Sequence, residues 1–146
     1  MKLKELQTMW AEDAKIDQTN LGRAAARVPE LHAKYINLLS NYRLQFRKAE
    51  TELLQFRQLK TRYFQGELSK EELQAHGWTP YLFRRPLKNE LEDLLNGSED
   101  VVERADRVEY LRTIMMFLES VLKSINSRTW DIKSAIEWVK FTNGEF

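Results

Sequence analysis

The residues best suited to chemistry in this chain are three cations and two aromatic rings close to the middle of the sequence. They are Arg57, Lys60, Arg62, Tyr63 and Phe64, and a glycine, Gly66, follows them. Cations neutralise the phosphates of a nucleic acid, and flat apolar rings support the unpaired bases of a single strand. The pattern therefore favours a single-stranded nucleic-acid site. The two rings could equally pack the end of a helix, so stacking and packing both stay open for them.

A single helix is expected to carry these residues. Its apolar positions recur at alternating steps of four and three, which places them along one face of an α-helix. They are Tyr35, Leu39, Tyr42, Phe46, Ala49, Leu53 and Phe56. Because stripes of this kind usually form a core or a coiled-coil seam, we assign this one to packing rather than to base stacking. Lys60 follows at the next position of the stripe, where the pattern predicts an apolar residue.

Charge is distributed unevenly along the chain, although the net charge is only +1. Residues 43–62 contain six basic and two acidic side chains, whereas residues 89–109 contain eight acidic and two basic ones. An anionic ligand would be attracted to the first segment and repelled by the second. Arg43, Arg47 and Lys48 add candidate DNA contacts, although such residues commonly form a solvated face. The acidic segment could dock a basic partner, form a solvated face, or make intersubunit salt bridges with Arg43 and Arg47.

A second group of rings and cations lies between residues 78 and 86, where we expect a loop. The group comprises Trp78, Tyr81, Phe83, Arg84 and Arg85. Rings that alternate with guanidinium groups suit stacking on bases and contact with phosphates. We favour the alternative, a loop held against the core by Trp78 and Phe83, because large aromatic side chains are usually buried.

The N-terminal half is predicted to contain two helices. A short amphipathic helix covers residues 2–14. Asp17 or Thr19 can cap the second helix, because either side-chain oxygen can accept a hydrogen bond from a free N–H of the first turn. Pro29 should kink the second helix, since proline donates no hydrogen bond and crowds the preceding turn. Beyond the kink, the long helix runs from Leu31 to about Phe64.

Two short helices are predicted to follow. Ser69 with Glu72 three residues later resembles a capping box, and Gly77 would end the helix that Ser69 starts. Residues 87–96 are expected to form the other short helix. Ser98 can then cap the last long segment of the chain.

The last segment carries a second heptad stripe, which we assign to contacts between subunits. The predicted contact residues are Leu118, Leu122, Ile125, Ile132, Ile136 and Val139. Two long stripes in so short a chain would leave much apolar area exposed in a monomer. The helix from Leu31 to Phe64 would also be about 51 Å long, against roughly 38 Å for a compact globule of this length. We therefore predict an all-α protomer, with a long kinked helix and a long C-terminal helix, in a ring-like homo-oligomer.

Length and composition narrow the class of protein further. A chain of 146 residues is expected to form one domain. It would comprise N-terminal helices in 1–66, short helices and a loop in 67–97, and an oligomerisation segment in 98–146. No cysteine is present, so disulfides and thiolate metal sites are excluded. With no leader and no apolar run near 18 residues, we expect a cytosolic protein without a membrane segment.

Catalysis finds no support in the sequence. The five glycines form neither a Walker loop nor a dinucleotide fingerprint, so we expect no nucleotide cofactor. His32 and His76 lack the spacing of a helical metal site and have no cysteine neighbours. We predict no metal site, no cofactor and no catalytic residue.

Three short motifs resemble the UvsY family of recombination mediators from tailed phages. They are Ile16-Asp17-Gln18-Thr19, Lys60-Thr61-Arg62-Tyr63-Phe64-Gln65-Gly66, and Ile125-Asn126-Ser127-Arg128 followed by Ile132-Lys133. The resemblance runs nearly end to end, with comparable length and helix order. The family's DNA-binding element resembles two basic residues one apart, then an aromatic pair and a glycine. Gln58 stands at the first basic position here and Lys60 at the second, and the adjacent Arg57 and Arg62 can supply the missing charge.

The resemblance implies a non-enzymatic oligomer that acts in the cytoplasm of an infected bacterial host. Such a protein binds single-stranded DNA, contacts a RecA-like phage recombinase and the phage single-strand-binding protein, and helps the recombinase to replace the latter. Two other classes stay open. One is a structural helical adaptor that binds only proteins, and the other is an enzyme subunit whose catalytic residues lie on a partner.

Overall fold

The computed structural model describes residues 1–144, and these residues form five helices and no β-strand. The helices are α1 (Leu3–Asp13), α2 (Leu21–Phe64), α3 (Lys70–His76), α4 (Lys88–Gly97) and α5 (Glu99–Thr142). The predicted all-α class and the predicted order of helices are both confirmed.

Helix α2 begins at Leu21, shortly after the predicted caps, and it includes both the part before Pro29 and the long part predicted from Leu31. Its cap is Asn20, whose Oδ1 accepts a hydrogen bond from the backbone N–H of Arg23 at 3.1 Å. The predicted caps were wrong, because Asp17 instead accepts from the backbone N–H of Thr19 at 2.9 Å in the preceding turn. The helix continues through Pro29. A proline removes one hydrogen bond from the ladder, and the packing of Ala24 and Leu31 on either side of Pro29 holds the helix together.

The ends of the short helices follow their local chemistry. The predicted capping box is present, since the Ser69 hydroxyl accepts from the Glu72 backbone N–H at 3.1 Å and Glu72 accepts from the Ser69 backbone N–H at 3.3 Å. Gly77 ends α3 with a φ of 68°, a conformation that glycine adopts without a steric penalty. Ser98 differs from its prediction. Its hydroxyl donates to the Leu94 carbonyl at 2.7 Å, so the side chain closes α4 rather than capping α5.

The chain forms two compact units. One unit combines Met1–Leu44 with the chain from Arg112 onward, and the other is Gln45–Leu111. Both long helices contribute residues to each unit. The buried apolar residues of the first unit include Leu6, Leu31, Tyr35, Leu39, Ile114, Leu118, Val121, Ile125 and Ile132. Those of the second include Ala49, Phe64, Leu95, Val101, Val108 and Leu111.

The C-terminal stripe divides into a buried and an exposed part. Leu118, Leu122, Ile125 and Ile132 are buried in the core of the first unit. Their burial within one chain leaves them little surface for a second copy, so most of the stripe serves the protomer's own core. Ile136 is half-buried and Val139 is 40% exposed. The part of the stripe with free apolar area is therefore its C-terminal end.

A buried carboxylate joins α1 to α2 in the first unit. Asp13 accepts hydrogen bonds from the Tyr35 hydroxyl at 2.8 Å, from Lys34 at 2.6 Å and from Arg27 at 2.9 Å. Burial alone would raise the pKa of Asp13, but these donors and the charge of Lys34 outweigh it and hold that pKa below its ordinary value of 3.8. Asp13 is therefore ionised at neutral pH, and its charge is fully engaged within the protomer.

Replacing this carboxylate should destabilise the protein. We expect Asp13→Asn to lower the free energy of unfolding by about 2 kcal/mol at pH 7, because it leaves two cations and a buried hydroxyl poorly paired. Because the folded pKa is depressed, the contribution is complete above 3.8 and is lost as the pH falls through the lower folded value. Urea unfolding across this pH range measures it. Glu12→Gln, on an exposed neighbour, is the matched control, and equal stability of the two variants would contradict the role of Asp13.

Candidate nucleic-acid interface

The predicted cations and rings lie in the second unit, where α2 ends. The backbone N–H of Glu67 donates to the Arg62 carbonyl at 2.9 Å, and that of Gly66 donates to the Tyr63 carbonyl at 3.1 Å. Gly66 has a φ of 72°, which closes the helix in a left-handed turn. We call Arg57, Lys60 and Arg62 the basic end of α2.

Lys60 is buried, as the apolar stripe requires of that position. Only 8% of the residue is exposed, and its Nζ lies 3.3 Å from Oδ2 of Asp100. The ammonium group also lies 4.8 Å from the ring centre of Trp78, 5.0 Å from that of Tyr63 and 5.2 Å from that of Phe64. The ring faces and the carboxylate compensate the charge in place of water. A phosphate reaches Lys60 only if this ion pair opens.

The two arginines of the basic end are more accessible, and each is paired with a carboxylate. Arg57 donates to Glu92 at 3.0 Å and to the side chain of Asn96 at 3.3 Å. Arg62 forms an ion pair with Glu72 at 3.1 Å. Hydrogen bonds from the Ser69 backbone and from Arg62 hold the pKa of Glu72 below its ordinary value, so this carboxylate is ionised at neutral pH. Three carboxylates thus neutralise the three cations within one chain.

The rings around Lys60 form one cluster. Its members are Phe56, Tyr63, Phe64, Trp78 and Tyr81, with neighbouring ring centres between 5.1 and 6.1 Å apart. Phe64 is buried, and the Tyr63 hydroxyl donates to the Thr79 carbonyl at 2.7 Å. Of the two uses left open for these rings, packing is the one that this arrangement serves. The ring cluster joins the loop after α3 to the end of α2.

The loop of residues 78–86 is present, but only part of it is held against the core. Trp78 packs as expected, whereas Phe83 is 75% exposed, so its predicted burial was wrong. Phe83 touches Tyr81, whose ring centre is 5.3 Å away, and projects beyond the ring cluster. Arg84 pairs with Glu90 at 2.8 Å and Arg85 with Glu67 at 3.6 Å. Both guanidinium groups are largely exposed, so this loop remains a second candidate for contact with bases and phosphates.

The remaining predicted contacts have different surroundings. Arg43 lies in the first unit and pairs with Glu119 of the same chain at 3.6 Å. Arg47 and Lys48 lie in the second unit and are exposed, and neither forms an ion pair with a residue that the structure describes. Arg47 and Lys48 are accordingly the accessible cations without an ion-pair partner among the predicted DNA contacts of α2.

Sequence reasoning missed the carboxylates that pair with the basic end. Glu92 and Asp100 belong to the acidic segment, for which a docking surface, a solvated face and intersubunit salt bridges with Arg43 and Arg47 were the predicted alternatives. The segment instead lies beside Arg57 and Lys60 of its own chain. The opposite charges of residues 43–62 and 89–109 were a signal for such pairing, but sequence spacing does not identify the partners.

The described residues form neither a metal site nor a membrane-spanning helix. Within residues 1–144, no group of three His, Asp or Glu side chains is placed to hold a metal ion. His76 stacks on Trp78, with ring centres 4.6 Å apart. No helix in the described part of the chain combines the length and the apolar character needed to cross a membrane.

The family of the chain follows from a comparison with known protein families. Residues 9–145 match the family described as "Recombination, repair and ssDNA binding protein UvsY". The chain belongs to the UvsY family. The match includes the whole basic end of α2, the loop after α3 and all of α5, which confirms the family predicted from short motifs. Membership supports a role in recombination. A search of curated proteins gave no match.

Crystal structures of the recombination mediator protein UvsY of bacteriophage T4 have the same fold. The structure in lattice type IV is 23% identical, with a TM-score of 0.85 over 97% of this chain and 99% of that chain. The structure in lattice type II is 24% identical, with a TM-score of 0.84 over 98% of each chain. A third, in lattice type I, has a TM-score of 0.81 at 23% identity over 94% of this chain and 98% of that chain. At such identities, the similarity establishes the fold of this UvsY-family chain and not its contacts.

Proposed function

We propose that this UvsY-family protein is a recombination mediator that binds single-stranded DNA. It would help a RecA-like phage recombinase to load onto strands covered by the phage single-strand-binding protein, in the cytoplasm of an infected bacterium. The observation that carries the proposal is the basic end of α2, fixed on a ring cluster within a chain whose family is described by single-strand binding. No catalytic group is required by this function.

A strand would bind when its phosphates replace the carboxylates that pair with Arg57 and Arg62. Glu92 and Glu72 occupy the places beside Arg57 and Arg62 that phosphates would take. Solvent-exposed ion pairs of this kind contribute only about 0–1 kcal/mol each, so opening them costs little. A strand offers a phosphate at every nucleotide, against the two carboxylates that pair with these arginines. Each phosphate contact also releases counterions. Arg47 and Lys48 need no exchange and would contact phosphates directly.

Lys60 would act differently from the two arginines. Its ammonium group is enclosed by Asp100 and three rings, and removing it from that pair leaves the half-buried carboxylate of Asp100 without its cation. We infer that Lys60 positions the end of α2 and the loop after α3, while Arg57 and Arg62 meet the strand. The rings of Tyr63 and Phe64 would support this surface rather than stack on bases.

Assembly through α5 would multiply these weak contacts. Its C-terminal part exposes Trp130, Trp138, Val139 and Phe141. Apolar area of this kind is stabilised by burial against a second copy, at about 25 cal/mol per Å². A ring-like homo-oligomer would place several basic ends along one strand and raise the effective concentration of each.

A structural adaptor that binds only proteins is the alternative function. The exposed Leu82 and Phe83 of the loop favour it, because exposed apolar side chains commonly mark protein contacts. Titration of oligo-dT at two salt concentrations separates the two functions, since only the first predicts salt-dependent binding.

Removing charge from the two accessible arginines should weaken strand binding. We expect the Arg57→Gln and Arg62→Gln double variant to lose affinity for oligo-dT and to flatten the salt dependence by about 1.4, at roughly 0.7 per lost phosphate contact. Fluorescence anisotropy at several salt concentrations measures both quantities. The Lys4→Gln and Lys123→Gln double variant removes the same charge from exposed positions of the first unit and should leave the slope unchanged. Identical slopes for the two double variants would exclude this site.

Placing a charge on the exposed end of α5 should dissociate the oligomer. We expect Val139→Asp to give a smaller species, because burying an unpaired carboxylate at a subunit contact is strongly unfavourable. Light scattering reports the mass, and circular dichroism reports the helical content. Met116→Asp places the same charge on another exposed apolar residue of α5 and serves as the control. A folded Val139→Asp protein with the parent mass would refute the contact.

A further inference from the structure

A cavity in the first unit gathers cations that the proposed DNA site does not use. Its volume is about 220 Å³, and it lies between the turn that follows α1, the first turns of α2, and α5. Its charged lining residues are Lys15, Arg23, Arg27 and Arg128, with Asp17 as the acidic member. Four cations against one carboxylate make this cavity strongly electropositive for a protein with a net charge of +1.

Arg128 gives the cavity an unused hydrogen-bond donor. The residue is only 4% exposed, and its two terminal nitrogens donate to the carbonyl oxygens of Ala14 at 3.1 Å and Lys15 at 2.9 Å. Its buried Nε–H has no hydrogen-bond partner. A buried donor without an acceptor is costly, and a charged one more so. Burial, together with the nearby charge of Arg27, lowers the pKa of the Arg128 guanidinium, while Asp13 and Asp131 act in the opposite direction.

Three of the carboxylates near the cavity are already engaged in hydrogen bonds or ion pairs. Asp13 is shared by Arg27, Lys34 and Tyr35, and Glu12 pairs with Lys15 at 3.0 Å. Asp17 accepts hydrogen bonds from the backbone N–H and the hydroxyl of Thr19. In the part of the chain that the structure describes, Arg23 and Arg128 form no ion pair with a carboxylate. Asp13 and Asp131 partly compensate the charge of Arg128, and Asp17 partly compensates that of Arg23, but neither arginine forms a direct ion pair with these carboxylates.

The N-terminus of α2 adds to the positive electrostatic potential of the cavity. Its first turn contains no acidic residue, although anionic side chains are favoured at that end of a helix. Asn20 satisfies the backbone N–H of Arg23, and Asp17 is the one acidic residue that lines the cavity at the positive end of this 44-residue helix. Oxyanions bind readily at such a position.

We propose that this cavity binds a phosphate group, held by Arg23, Arg27 and Arg128. A tetrahedral oxyanion has enough acceptors for the guanidinium groups of Arg23 and Arg27, and it would compensate the positive charge of the buried Arg128 guanidinium that lines the cavity. The phosphate could be free in solution or belong to the backbone of a nucleic-acid strand, since both offer the same oxygens. The inference is independent of strand binding at the basic end of α2, which lies in the other unit.

The Nε–H of Arg128 provides a direct test, because a purely structural arginine would not respond to a ligand. We expect its ¹⁵N–¹H resonance to shift saturably when inorganic phosphate is added to the full chain, and not when sodium chloride is added at equal ionic strength. Arg23→Gln should weaken phosphate binding about tenfold, as expected for the loss of one charge-assisted contact. Arg23 is exposed and forms no ion pair in the described chain, so the variant should fold normally. Lys4→Gln, on an exposed residue outside the cavity, should bind phosphate like the parent.

A parallel titration with oligo-dT identifies the source of the phosphate. A shift of the Arg128 resonance with both ligands supports a strand backbone, and a shift with inorganic phosphate alone supports a free ion. Absence of a saturable shift with inorganic phosphate would overturn the site, as would an affinity that Arg23→Gln leaves unchanged. Failure of the protein to bind oligo-dT by any measure would refute the proposed function and leave the phosphate result standing.

Discussion

The ion pair between Lys60 and Asp100 is the interaction on which the candidate interface depends. It places a charge at a position of α2 where the apolar stripe continues, and the surrounding rings make that charge tolerable. The long stem of lysine fills the apolar position while its ammonium group finds polar partners. Lys60 thereby ends the packing seam of α2 and contacts Trp78 of the following loop. Through Asp100 it also joins the end of α2 to the start of α5. The more accessible cations, Arg57 and Arg62, lie on the same end of α2 that Lys60 holds in place.

Carboxylates of the same chain neutralise the cations of the basic end of α2, and this pairing determines how strongly the interface can bind a strand. Because Glu92 and Glu72 already pair with Arg57 and Arg62, the basic end carries little free charge in the isolated protomer. A single protomer would accordingly bind a strand weakly and release it readily. These are suitable properties for a mediator, which must hand the strand to a recombinase. Several copies on one strand would supply the affinity that one copy lacks.

Local chemistry made much of this fold predictable from the sequence. The Ser69 capping box, the Gly77 stop and the order of the helices depend on neighbouring residues, and they were confirmed. The pairing of Lys60 with Asp100 was not predictable, because residues forty positions apart meet only through tertiary packing. The long stripes identified the core correctly, but periodicity does not distinguish a core within one chain from a contact between chains. The burial of Ile132 in its own protomer illustrates that limit.

The central claim is that Lys60 organises the interface and does not itself contact the strand. The double variant Lys60→Met with Asp100→Asn tests it most directly, since methionine preserves the apolar stem and the pair of changes removes both charges together. The salt dependence of oligo-dT binding is the measurement, in protein shown to be folded. The account predicts the slope of the parent protein, because no phosphate contact has been removed. A slope smaller by about 0.7 would mean that Lys60 neutralises a phosphate, and would contradict it.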